Sequence, residues 1–328
     1  MGLAHQAIEY RLLDPDFILN QQEEDEDEQD DEAEEQDAPR PIRPFPLDHS
    51  FDVRAYSDTY SIQEFRFTCA QLQEIIGLLR IPPFIVTPSR DKVDSLTVLC
   101  MAMYRLSFPE RLNRMERMFR RSAPSISRLI NQIVRWVMLR WDRLLYWDEH
   151  RLTREKLSEY ADACYHASGG QCNNVFAFVD GTAREIQMPT INQQAMYSGH
   201  KCHHCVKYQG IVAPDGILLH LSSAFSGTNH DMTIFDGTGF QQVLDQFAYD
   251  QNGVALAIYG DSAYTANGHV LIGYRGNGLT PDQIAFNRVM SSLRVTIEWT
   301  FKHITQQFMG IDFPRTHRLP VHMDRRSL

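Results

Sequence analysis

The 328 residues carry 42 Asp and Glu against 32 Lys and Arg, a formal net charge of −10, which taken whole argues against a nucleic-acid partner. Twelve of those acids lie between Glu23 and Asp37, however, and the rest of the chain holds 30 acids against 32 bases. No run approaches the ~18 apolar residues needed to span a bilayer, the chain opens without a signal pattern, and its six cysteines are scattered; these features predict a soluble, intracellular protein with reduced thiols.

From Gln21 to Asp37 nearly every side chain is acidic or an amide, so burial could not offset the entropy of ordering it. Pro39, Pro41, Pro44 and Pro46 follow and favour an extended spacer. Residues 1–46 therefore read as a disordered acidic tail, either simply solvated or a surface for histones and other basic partners.

Residues 47–150 read as an all-α domain. Leu72, Ile75, Ile76 and Leu79 recur at helical spacing until Pro82-Pro83. Leu112, Met115, Met118 and Phe119 mark a second helix, and Ile126, Leu129, Ile130, Ile133, Val134 and Val137 a third, separated by Ser122-Ala-Pro124. The spacing predicts a helix-turn-helix over 111–146, with Ser122 capping and Pro124 tolerated in the first turn. Residues 111–143 hold nine arginines against Glu116 and Asp142, a local charge of +7. Guanidinium forks suit phosphate oxygens, so Arg117, Arg120, Arg121 and Arg128 are candidate DNA contacts, although an arginine-rich helix can equally be a solvated face.

A linker helix is expected over 151–172, and from 173 the period becomes extended. Val175–Val179 is a continuous apolar run suited to a strand buried on both faces. Val206–Ala213 and Ile217–Phe225 flank Pro214-Asp-Gly216 as a hairpin. A helix is expected near His230, a fourth strand over Val254–Tyr259, and a last helix carrying Leu293, Ile297, Phe301, Ile304 and Phe308 on one face. The order β-β-β-α-β-α over 173–313 predicts an α/β (α+β) domain with a mixed sheet and flanking helices.

Asp180 and Asp261 each follow a buried run, and backbone at strand ends surfaces from the core without losing its position. Glu298, beside the last helix's apolar stripe, is placed to lean toward both. Three carboxylates converging there would suit Mg²⁺ or Mn²⁺, and two such ions roughly 4 Å apart serve phosphodiester cleavage or strand transfer. Taken singly, each acid has a structural explanation: Asp180 in a turn, Asp261 capping Ser262-Ala-Tyr264, Glu298 pairing with Arg294.

Phe178-Val-Asp-Gly-Thr182, Tyr197-Ser-Gly-His-Lys201, His204–Tyr208 with Gln209, Pro214-Asp-Gly216, Gly227–Asp231, Tyr259-Gly-Asp-Ser-Ala-Tyr264 and Asn287 through Arg294 to Glu298-Trp299 resemble, in order and spacing, the nuclease domain of PIF/Harbinger-type transposases and the host nucleases derived from them. The resemblance implies a ribonuclease-H-like fold, an acidic triad of Asp180, Asp261 and Glu298 holding Mg²⁺ or Mn²⁺, and Asp231 as an accessory metal-site acid. It also implies transposon-end DNA as substrate, a nuclear location and a Myb-like accessory protein encoded by the same element; the sequence leaves the oligomeric state open, a homo-oligomer included. The family's upstream helix-turn-helix agrees with 111–146. After Ile311-Asp-Phe313 the family pattern ordinarily continues into helices, whereas residues 314–328 are short, basic and without an apolar stripe, the look of a truncated or frame-shifted end.

Three other readings compete. Cys202-His-His-Cys205 with His200 has zinc-ligand chemistry but no second ligand pair; His200, Lys201, His204 and Lys207 are expected instead to contact DNA phosphate or support the acids. A haloacid-dehalogenase phosphatase would need an aspartate where Phe178 stands and a second acid where Thr265 stands. A domesticated or decayed element that binds DNA or protein without cutting would keep the same acids.

Overall fold

The computed structural model describes residues 51–190, 193–199 and 201–313. The acidic tail, His200 and the segment 314–328 lie outside the described residues. The described chain divides into two compact units, one of residues 51–141 with 307–313 and one of residues 142–306. Among the described residues, no helix is long and apolar enough to cross a membrane.

In the first unit, α1 (Asp58–Phe65) starts at Ser57, whose hydroxyl accepts from the Tyr60 amide, and α2 (Cys69–Leu78) starts at a capping box of Thr68 and Gln71. Each cap satisfies backbone donors that a helix start leaves without intrahelical partners. The hairpin β1 (Phe84–Val86) and β2 (Lys92–Asp94) precedes α3 (Ser95–Ser107), capped by Asp94. Leu96, Val98, Leu99, Cys100, Met101 and Ala102 of α3 are all buried, so α3 is central, and α1, α2, α4 (Leu112–Phe119) and α5 (Ala123–Trp141) pack around it. The 3-10 turn Met309–Asp312 also packs on α3.

The hairpin corrects the all-α expectation. Past Pro82-Pro83 the burial of Ile85 and Val93 alternates with their neighbours, a period of two. The turn is closed by Thr87, whose amide donates to the Asp91 carbonyl and whose hydroxyl donates to the Asp91 carboxylate. Between α4 and α5 the chain reverses at Arg120, in the left-handed region at φ 56°. The Glu116 carboxylate accepts from the Ala123 amide at 2.8 Å there, and so takes up one of the free donors at the start of α5.

In the second unit, α6 (Arg154–Ala167) begins at Thr153 and packs on β3 (Val175–Glu185), so the segment expected as a linker helix covers the sheet. The chain continues through α7 (Gln193–Met196), β4 (Tyr197–Ser198), β5 (His203–Val212), β6 (Leu218–Leu221), β7 (Phe225–Ser226), α8 (Asp231–Thr238), α9 (Phe240–Phe247), β8 (Ala257–Tyr259), β9 (Val270–Leu271) and α10 (Pro281–Gln307). The sheet runs β4-β5-β3-β8-β9, with β6 and β7 also paired to β5. β3 is antiparallel to β5 and parallel to β8, and β8 is parallel to β9. This mixed sheet with flanking helices is consistent with a ribonuclease-H-like fold.

Several expectations change in detail, among them the strand expected over Ile217–Phe225, which is two short strands, Leu218–Leu221 and Phe225–Ser226, each paired to β5. The first strand does not stop at Val179: it continues to Glu185, because β5 is long enough to pair with every residue from Phe178 to Glu185. The fourth strand is shorter, starting at Ala257, since Asp250–Val254 is a turn held by the Asp250 carboxylate on the Asn252 and Val254 amides. β9 adds a strand with no signal in the sequence, because two residues show no periodicity.

Opposed residues of an antiparallel pair share a face. Val179 and Ile211 lie in one core with Phe235, Phe240 and Tyr264. Phe178 and Val212 lie in the other with Met290 and Ile297 of α10. Gly210, opposite Asp180, lets the last helix lie close to the sheet: a Cβ there would stand 2.6 Å from the Phe301 ring.

Candidate active site

The parallel pairing of β3 with β8 ends at Phe178 opposite Tyr259, and Asp180 and Asp261 each lie two residues further on. Asp180 is on the face covered by α10, where the Arg294 guanidinium donates to its Oδ2 at 2.8 Å and stands 3.1 Å from Glu298 Oε1. Asp180 and Glu298 are therefore on the same side of the sheet, held by one cation. The Asp180 and Arg294 side chains are only 18% and 20% exposed, whereas Glu298 is half-exposed at 50%. Two of the structural roles open to single acids are realised: Asp261 Oδ1 accepts from the Ala263 amide at 2.8 Å, and Glu298 pairs with Arg294.

Asp231 approaches from the other face. It is the first residue of α8, and a Cβ on Gly181 would stand 2.8 Å from its Oδ1. Only glycine at 181 lets that carboxylate lie against the strand next to Asp180. Burial raises the Asp231 carboxyl above its ordinary value, Lys207 opposes the rise, and Asp261 adds to it.

Burial pushes Asp180 up to about 6. The Arg294 charge and the Gly181 amide pull it down, Asp261 and Glu298 push it further up, and despite the short ion pair desolvation wins. Because the folded protein holds this proton more tightly than an ordinary carboxyl of 3.8, it binds more protons than the unfolded chain between those values. Asp180's contribution to stability is then full below the ordinary value and lost as pH rises through about 6. The change is at most about 3 kcal/mol. Metal-free unfolding midpoints measured from pH 4 to 8 should fall across that window, and Asp180→Asn should flatten the fall; equal slopes in both proteins would refute the assignment.

The expected DNA contacts separate. Arg117 and Arg120 are exposed, Arg121 is half-buried and Lys201 is exposed. His204 is half-buried with its ring edge-on to Tyr197 at 5.3 Å. Two are engaged internally. Lys207 lies on the α8 side of β5 by strand alternation, and its Nζ donates to the Asn229 carbonyl at 2.6 Å. Arg128 is 2.9 Å from Asp91. Burial tends to raise that aspartate, but hydrogen bonds from Ser125, Arg128 and Thr87 outweigh it and hold the carboxyl low.

Cys202 is exposed and Cys205 buried, all six cysteines are unpaired, and among the described residues no three His, Cys, Asp or Glu side chains are grouped as a ready metal site. Residue reading missed three participants: Arg294 as the link between two acids, and Gln209 and Tyr264 beneath Asp231 and Asp261. Gln209 carried a usable signal, an amide inside the apolar run Val206–Ala213.

No curated protein and no solved structure matches the chain. A family model does match, starting one residue before Asp180, covering Asp231, Asp261 and Glu298, and continuing across 314–327, where the sequence predicts a departure from the family pattern. That family suggests transposase-like nuclease function and implies DNA as the substrate. Residues 179–327 are similar to DDE superfamily endonucleases.

Proposed function

We propose that this chain is a PIF/Harbinger-type transposase or a nuclease derived from one, which cuts and joins DNA phosphodiesters at Asp180, Asp261 and Glu298 with Mg²⁺ or Mn²⁺. What supports the reading is Arg294, which pairs with both Asp180 on β3 and Glu298 on α10, beside the place where the β3–β8 pairing ends two residues before Asp180 and Asp261. Their hard oxygen donors suit such an ion, and a guanidinium already stands as a cation between two of them. When bound, the ion supplies the charge that activates a water or 3′-hydroxyl and stabilises the leaving oxygen.

The chain's own part is to position and to hold charge. β3 fixes Asp180 through its pairing with β5, the Ala263 amide orients Asp261, and Arg294 orients Glu298. Asp180 must give up its proton to act as a ligand, so metal affinity should rise with pH through about 6. Asp231 supports the site from the opposite face. Purified protein with Mn²⁺ should nick DNA carrying its element's ends; protein that only retards the DNA on a gel would instead be a domesticated or decayed binder.

DNA is proposed to lie along the exposed arginines of α4 and of the turn before α5, in a nuclear setting and with a Myb-like partner where the element encodes one. Replacing Arg117, Arg120 and Arg121 by alanine should weaken binding at low salt and flatten its salt dependence by roughly 0.9 in the log–log slope for each phosphate no longer neutralised. Arg128→Ala should instead lower the unfolding midpoint, because it leaves Asp91 without its cation. An unchanged slope in the triple variant would move DNA off this surface.

A further inference from the structure

Gln209 is fully buried in the middle of β5, directly opposite Gly181. Its amide nitrogen donates twice, to the Asp231 carbonyl at 3.3 Å and to the Tyr264 hydroxyl at 2.9 Å. A backbone carbonyl can only accept, so this contact fixes which end of the amide is nitrogen. Its Oε1 meets no donor among the described residues, and a buried acceptor without a partner lowers stability. An apolar side chain of the same length would serve the core better, so the amide needs another explanation.

Its two partners supply one. Asp231 opens α8, and Tyr264 lies three residues past Asp261 in the turn where the Asp261 carboxylate holds the Ala263 amide. One side chain on β5 thus ties down both segments that bring acids to β3. Two residues earlier on the same face, Lys207 holds the Asn229 carbonyl, so β5 grips the chain on both sides of His230. The Tyr264 ring is itself buried against Phe235 of α8, which makes its hydroxyl a rigid anchor.

We propose that Gln209 is a positioning residue for the acid site: through Asp231 and Tyr264 it sets where the carboxylates of Asp231 and Asp261 stand relative to Asp180. This rests on the nuclease reading above. The step it supports is ligand placement, and Gln209 itself touches no reacting atom.

The test compares wild type with Gln209→Met, which keeps length and loses both donors, and with Tyr264→Phe, which removes one partner. Amide hydrogen exchange needs no activity: Gln209→Met should speed exchange in residues 229–234 and 261–264 and leave α10 unchanged. Well below the unfolding midpoint, its kcat on DNA carrying the element's ends should fall by about 10–100-fold, the range for loss of a side chain that orients ligands. KM for DNA should stay within about twofold, and half-saturating Mn²⁺ by paramagnetic resonance should rise by a similar 10–100-fold. Tyr264→Phe should give a smaller change in the same direction. A Gln209→Met protein that loses only thermal stability, with exchange in those segments, kcat and Mn²⁺ affinity unchanged, overturns the proposal and leaves the nuclease reading intact. Wild type that neither cuts nor binds Mn²⁺ overturns both.

Discussion

Asp261→Asn is expected to lower DNA cleavage on the order of 10³-fold or more, the scale of losing one member of a catalytic unit, without unfolding the protein. The asparagine oxygen can still accept from the Ala263 amide, as Asp261 Oδ1 does, so the turn after β8 should keep its shape. What goes is a negative charge that raises both Asp180 and Asp231. The metal-free variant should therefore melt at the wild-type temperature or slightly higher, while its stabilisation by Mn²⁺ shrinks. Asp231→Asn should reduce the Mn²⁺ response less. Cleavage within tenfold of wild type, with a normal melt, would remove Asp261 from the chemistry.

The second large effect concerns the floor of the site. Phe178 is buried two residues before Asp180, on the same face, in the cluster with Val212, Met290 and Ile297. Phe178→Ala should cost about 3–5 kcal/mol, because neighbours anchored on a central strand and a long helix cannot close over the cavity. Urea unfolding at constant m-value is the measurement, and a loss below about 1 kcal/mol would mean that α10 settles freely onto the sheet. Because α10 also carries Arg294 and Glu298, the surviving folded fraction should bind Mn²⁺ more weakly than wild type.

The elements that anchor the site could be read from residues because their burial is periodic. Val175–Val179 has no polar interruption, and Ile297 and Phe301 are spaced one helical turn apart. The reading failed where a contact between distant segments decided the outcome. Nothing local distinguishes Asp180 as the end of a strand from Asp180 in its middle; the length of β5, read against β3, decides it. Lys207 and Arg128 looked like free cations because their acceptors, the Asn229 carbonyl and Asp91, lie 22 and 37 positions away. The hairpin of the helical unit leaves no signal in the sequence because each strand has only three residues, too few to establish a period of two.

The register of the sheet also sets an order of assembly. The paired residues of β3 and β5 are 20 to 34 positions apart, whereas Phe178 meets Tyr259 only after a loop of roughly 80 residues has closed, a costlier step for parallel pairing. Contact order therefore predicts that Asp180 is set on its strand before Asp261 arrives. Until then the apolar edge Val175–Phe178 is uncovered on the β8 side, and a newly made chain is open to joining another copy there. The segment that brings Asp261 toward Asp180 is the same segment that caps this edge, so nascent chains slow to dock β8 should be lost to aggregation.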